Sequence, residues 1–171
     1  MRSEATPPPT GVLRRALRAA LSVAVVSVLA AGAVGTAGAG VENWNDAQIK
    51  WLSYEDGLAA AKKTGRPICL VFYTTWCPHC ANYAKVFSDP AVVKKAESFV
   101  MIRLDKDKNK QLSTEFKPDG EYIPRTYFLS PDGKLDASLT AGREQYKYFY
   151  DEQDPAGILA GMDRALKQFG K

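Results

Sequence analysis

The chain has 171 residues, 46% of them hydrophobic and 25% charged, which suits one folded domain plus an appendage. Lys and Arg number 23 against 19 Asp and Glu, but four of the basic residues and one of the acidic ones fall in residues 1–39, leaving a nearly neutral remainder of 19 against 18. Those remaining charges alternate in sign, as in residues 105–110, which marks a solvated loop or helix face and argues against a nucleic-acid partner.

The appendage comes first. Arg14, Arg15 and Arg18 precede an uncharged run rich in Ala, Val and Leu over residues 19–37, which ends in Ala37-Gly38-Ala39, a small-residue pattern suited to signal-peptidase cleavage after Ala39. Residues 1–39 are therefore expected to be a signal peptide, or an uncleaved anchor, since the run is about long enough to span a bilayer. Arg14-Arg15 is ordinary charge ahead of such a run, and no cysteine stands near it to carry a lipid. The expected location is periplasmic or extracellular, with membrane contact only if the segment stays attached.

Residues 40–171 form the expected folded domain. Residues 40–50 read as a short lead-in, with residues 49–52 a first strand. Ser53 is placed to cap a helix with Asp56 near its N3 position, and helix formers continue through Lys63 until Gly65 and Pro67 stop them. Residues 68–73, Ile-Cys-Leu-Val-Phe-Tyr, are a continuous apolar run, the pattern of a central strand covered on both faces. Pro78 fits the first turn of the next helix, which runs to Phe87 before Asp89-Pro90 interrupts it, and a second helical piece follows over residues 91–98. Residues 99–104 are the next strand, the charged stretch to Lys117 follows, and Pro118-Asp119-Gly120 is a turn. Residues 126–129, the turn Ser130-Pro131-Asp132-Gly133 and residues 134–139 predict an antiparallel hairpin. Asp154 as cap and Pro155 at the first position open a last helix, whose stripe Ile158, Leu159, Met162, Ala165, Leu166 and Phe169 is core packing.

The chemistry concentrates at Trp76-Cys77-Pro78-His79-Cys80, directly after the apolar strand. Two cysteines three apart, the first at a helix N-terminus, can close a small disulfide ring, and the first sulfur faces unpaired amides and the positive end of the helix dipole. His79 adds a cation inside the loop, and stabilising the thiolate makes the disulfide form a stronger oxidant. Cys77 and Cys80 are thus expected to be catalytic, with Pro78 and His79 tuning the potential. As a structural staple the pair closes too little chain to contribute much. Zinc needs four ligands, and the chain outside this loop offers only Cys69, with no second C-x-x-C and no histidine other than the loop's own His79, so neither metal nor organic cofactor is expected. Cys69, among Ile68, Leu70 and Val71, reads as a small hydrophobe.

The order strand, helix, strand, C-x-x-C helix, strand, X-Pro, hairpin, helix resembles the thioredoxin fold, an α/β architecture with a central mixed sheet flanked by helices. The resemblance covers roughly residues 42–169. Within it, Trp51-Leu52-Ser53-Tyr54-Glu55-Asp56-Gly57, Pro118-Asp119-Gly120-Glu121-Tyr122-Ile123-Pro124-Arg125, the turn from Phe128 to Lys134 and Tyr146-Lys147-Tyr148-Phe149-Tyr150 are similar to the small secretory-pathway proteins of the thioredoxin domain-containing 12 and anterior-gradient group. The Cys-Pro-His-Cys loop alone is similar to that of periplasmic dithiol oxidases. The resemblance implies that the Ile123-Pro124 bond is cis and that Ile123, Pro124 and Trp76 shape a groove for the substrate strand beside the dithiol. Two departures stand out. The C-terminus, Gln168-Phe169-Gly170-Lys171, lacks the retention tetrapeptide of the lumenal proteins, and Val71 occupies the position where thioredoxins carry an acidic residue beneath the dithiol.

The expectation is an exported thiol–disulfide oxidoreductase acting on protein thiols in the oxidase or isomerase direction. Two alternatives use the same sequence: an extracytoplasmic reductase fed by a membrane electron donor, and a non-catalytic binding or chaperone module, which leaves the intact Cys77/Cys80 pair without a role.

Overall fold

The computed structural model describes residues 43–170, so the expected export segment lies outside the described residues. Four strands, β1 (Trp51–Leu52), β2 (Ile68–Tyr73), β3 (Val100–Asp105) and β4 (Arg125–Leu129), form one sheet in the order β1-β3-β2-β4. β1 and β2 run parallel to β3, and β4 runs antiparallel to β2. The helices are α1 (Tyr54–Thr64), α2 (Pro78–Val86), α3 (Pro90–Ala96), α4 (Lys110–Glu115) and α5 (Ala156–Phe169). This is the expected mixed α/β sheet flanked by helices. Among the described residues no helix is long and apolar enough to cross a membrane.

β2 shows why its sequence is apolar throughout. Cys69 and Val71 enter one buried cluster with residues of α2, α3 and α5, while Ile68, Leu70 and Phe72 enter another with Ala61 of α1, Phe116 and Tyr127. Alternate side chains thus serve opposite faces of the sheet. α1 is capped as its sequence predicts: Ser53 Oγ accepts the Asp56 amide at 3.1 Å and donates to Asp56 Oδ2 at 3.0 Å, and Gly65 ends the helix at φ 71° with its amide on Ala61 O. Asp89 does more than interrupt a helix. Its Oδ1 accepts the Ala91 and Val92 amides at 2.8 and 3.2 Å, capping α3 with Pro90 in the first turn.

Three expectations need correction. Residues 134–139 do not form a strand: the turn closes through Ser130 N–H to Lys134 O at 2.9 Å, one bridge joins Leu129 to Leu135, and the chain then leaves the sheet. Asp136 diverts it, Oδ1 accepting the Ser138 amide at 2.9 Å and its hydroxyl at 2.7 Å. Leu135 then packs on the α1 side and Leu139 on the α2 side, an arrangement no straight strand allows for positions four apart. The free edge of β4 is covered instead by a loop, with the Thr126 amide on Tyr148 O at 2.9 Å. At α5, Asp154 Oδ1 accepts the Ala156 amide at 2.8 Å, but Pro155 holds the cap position and the helix starts one residue later; Ile158, Met162 and Ala165 are buried as expected.

The third correction is the lead-in. Trp44 is fully buried, its ring centroid 5.2 Å from that of Tyr73, 5.6 Å from Phe87, 6.0 Å from Trp51 and 6.1 Å from Tyr83. Trp51 Nε1 donates to Trp44 O at 2.9 Å, and Asn45 Nδ2 to Phe87 O at 3.0 Å. The Arg103 guanidinium lies over the Trp44, Trp51 and Tyr73 rings and donates both amino groups to Asp46 at 3.0 and 3.2 Å. This aromatic cluster backs α2 and so fixes the helix that carries the cysteines.

Candidate active site

β2 ends at Tyr73, and the chain turns through buried Thr74 into α2. Cys77 occupies the N-cap with extended backbone (φ −84°, ψ 115°), and its Sγ accepts the Cys80 amide at 3.2 Å. The sulfur thus takes the place of a capping oxygen, using one of the amide donors that a helix start leaves unpaired. Pro78 stands in the first turn, where its missing N–H removes no helix bond. Cys77 keeps 4% of its surface and Cys80 none, and both are free thiols. Burial pushes the Cys80 thiol well above its ordinary pKa, aided by its hydrogen bond with Cys77 and by the negative charges of Cys77 and Glu152; a hydrogen bond from the Thr74 backbone acts in the opposite sense. Cys80 is therefore a protonated, shielded thiol at neutral pH. Burial alone pushes Cys69 up as well, which makes it inert.

His79 points away from the core, with 62% of its side chain exposed. Its Nδ1 lies 2.8 Å from Glu152 Oε2, and its ring meets the Phe149 ring edge-on at 6.0 Å. Glu152 is only 16% exposed, and its Oε1 accepts Asn82 Nδ2 at 3.4 Å. Nothing in the sequence marked Glu152: it lies 73 positions from His79, in the loop before α5, without a local motif. Val71 is buried in the same cluster as both cysteines, so the face beneath the dithiol is apolar there, and Glu152 is the carboxylate whose charge reaches Cys80.

The Ile123-Pro124 bond is cis, as the resemblance implied. β4 pairs with β2 so that Arg125 faces Phe72, which sets the preceding Pro124 at the end of the sheet where β2 delivers the dithiol. Ile123 packs on the cluster that contains Cys77 and Cys80. The fold therefore gathers Cys77, Pro78, His79, Cys80, Ile123 and Pro124 at one end of the sheet. Trp76 flanks them, 68% exposed and oriented by an Nε1 hydrogen bond to Asp107 Oδ2 at 2.8 Å. Arg125 is fully buried and ties the proline loop to α4, donating to Gly120 O at 2.9 Å and Ser113 Oγ at 2.5 Å, with its guanidinium 5.0 Å from the Phe72 ring centre. Among the described residues no group of three His, Cys, Asp or Glu side chains is placed to hold a metal ion.

A buried thiol beside a capping sulfur, with the His79–Glu152 pair next to them and an apolar shelf, has the arrangement for exchanging a disulfide with an incoming thiol or disulfide. Comparison with known proteins agrees with the fold. A thioredoxin-like family profile matches residues 50–131, which include both cysteines and Pro124. Anterior gradient protein 3 of Xenopus tropicalis is 34% identical over 127 residues, 72% of this chain and 74% of that protein, and the anterior gradient protein 2 homolog of Homo sapiens is 33% identical over 126 residues, 72% and 70%. The solution structure of a thioredoxin from Thermus thermophilus aligns with a TM-score of 0.57 at 25% identity, covering 72% of this chain and 91% of that one. With this sheet order, this cysteine pair and these relatives, the chain belongs to the thioredoxin-like family.

Proposed function

We propose that this protein is an exported thiol–disulfide oxidoreductase that oxidises or isomerises the cysteines of other proteins through Cys77 and Cys80. The observation that carries the reading is Cys77 Sγ at the start of α2, accepting the Cys80 amide above a shielded Cys80. In the oxidised form a substrate thiolate attacks Cys77 Sγ, the Cys77–Cys80 bond breaks, and Cys80 leaves as a thiolate that takes up a proton. A second substrate thiolate then attacks the substrate sulfur of the mixed disulfide, forming the substrate's disulfide and releasing Cys77. Two electrons pass from substrate to protein. Isomerisation uses the same mixed disulfide, with Cys80 resolving it when no substrate thiol does. Trp76, Ile123 and Pro124 form the groove for the extended substrate segment. Export rests on the basic and apolar pattern of residues 1–39, and it places the dithiol where disulfides persist.

One observation favours the reverse direction. The Glu152 carboxylate beside His79 offsets the pull of an imidazolium on a thiolate, and such an offset suits a reductase fed by a membrane electron donor. A single-turnover experiment separates the readings. Oxidised protein mixed with an equimolar, reduced, unfolded client that has two cysteines is expected to give one client disulfide per molecule while Cys77 and Cys80 become alkylatable. A client that stays reduced while Cys77 and Cys80 stay paired contradicts the proposal.

A further inference from the structure

The loop before α5 puts a carboxylate, an imidazole and an amide side by side on the outer face of the dithiol helix. We propose that Glu152 is a positioning residue that fixes His79 as the base taking the proton from an incoming substrate thiol. This inference rests on the oxidoreductase reading above and goes beyond it by assigning the step that makes the attacking thiolate.

The geometry carries it. An ionised carboxylate only accepts, so the contact of 2.8 Å requires the hydrogen on His79 Nδ1. In the neutral ring the lone pair is then on Nε2, which has no hydrogen-bond partner among the described residues and belongs to a side chain 62% exposed. Glu152 is itself held: it is largely buried, and Oε1 takes a second bond from Asn82 Nδ2, three residues beyond His79 on the same helix face. Phe149 packs edge-on against the imidazole. The ring is thus fixed in tautomer and orientation, with its basic nitrogen open, and a proton taken at Nε2 leaves the ring held on the carboxylate through Nδ1. The other charged groups around the ring are Arg143, whose guanidinium lies 4.9 Å from the Phe149 ring centre, and Asp151, both lining the same cavity; Lys85 lies one turn further along α2 on Asn82 Oδ1.

The step balances. The substrate S–H bond breaks and its proton goes to Nε2. The thiolate forms a bond to Cys77 Sγ as the Cys77–Cys80 bond breaks, so the substrate sulfur is oxidised and Cys80 is reduced, and Cys80 takes a proton from solvent. An ordinary cysteine thiol of pKa about 8.5 is only about 3% ionised at pH 7, so complete delivery of its thiolate is worth at most about 30-fold.

The test follows the reduction of the oxidised protein at pH 7 by stopped flow with two thiols that carry no other charged group: N-acetylcysteine amide, largely protonated, and thiophenol, largely ionised. Glu152→Gln and His79→Ala are each expected to slow the capped cysteine about tenfold and thiophenol less than twofold, and the double variant should be no slower than His79→Ala. Equal slowing of both thiols, or no slowing of either, overturns the base assignment. A wild-type protein whose cysteines form no disulfide reducible by either thiol overturns the oxidoreductase reading itself, a result distinct from failure of the base.

Discussion

In the client assay, Cys77→Ser and Cys80→Ser, neither of which can hold the internal disulfide, are each expected to lower disulfide transfer by at least about a thousandfold, and Cys80→Ser offered an oxidised client instead is expected to hold it covalently on Cys77. The asymmetry follows from position. Cys77 Sγ is at the mouth of α2 with an amide donor on it and retains some exposure, whereas Cys80 has none and its thiol is held protonated by burial. A hydroxyl at position 77 is a far weaker nucleophile than a thiolate and cannot form a disulfide. Without Cys80, a mixed disulfide on Cys77 has no internal thiol to resolve it, because Cys69 is fully buried and inert. Mass spectrometry of Cys80→Ser after incubation with an oxidised client should find the adduct at Cys77. An adduct on Cys80 in the Cys77→Ser protein, with none on Cys77 in the Cys80→Ser protein, reverses the roles.

Trp44→Ala is expected to cost about 3–5 kcal/mol of stability, the range for truncating a large, fully buried aromatic side chain. Four aromatic rings and the Arg103 guanidinium close around the indole, and none of them can refill the space alone. Tyr83, in the last turn of α2, and Phe87, just beyond its end, are two of those rings, so the loss reaches the helix that carries the dithiol. Urea unfolding should show a lower midpoint with an unchanged slope. A loss under about 1 kcal/mol would mean that the lead-in segment is not part of the core.

These two sites also show what the sequence discloses. Cys77, Pro78 and Cys80 were legible because capping, helix entry and thiol spacing are local, and β2 because a short, wholly apolar run between Pro67 and the dithiol leaves few alternatives. The cis Ile123-Pro124 bond was legible only through resemblance, since an isolated X-Pro carries little information about its isomer. Trp44 was missed because the short lead-in over residues 40–50 has no periodicity to show which side faces inward. Glu152 was missed because its partner His79 is brought to it only by the tertiary fold. α4 had no capping side chain to mark its start, as Asn109 makes no such bond. The strand expected over residues 134–139 failed because Leu135 and Leu139 share a parity in sequence and yet serve opposite faces of the sheet.

The proposed function requires Cys77 and Cys80 to form a reversible couple poised to oxidise protein thiols. Equilibration of the protein across ratios of reduced to oxidised glutathione, read by alkylation and mass spectrometry, tests it most directly. An intramolecular Cys77–Cys80 disulfide is expected, with a potential between about −200 and −120 mV, the range of isomerases and dithiol oxidases. A couple at about −270 mV or below, the thioredoxin end of the scale, would contradict it.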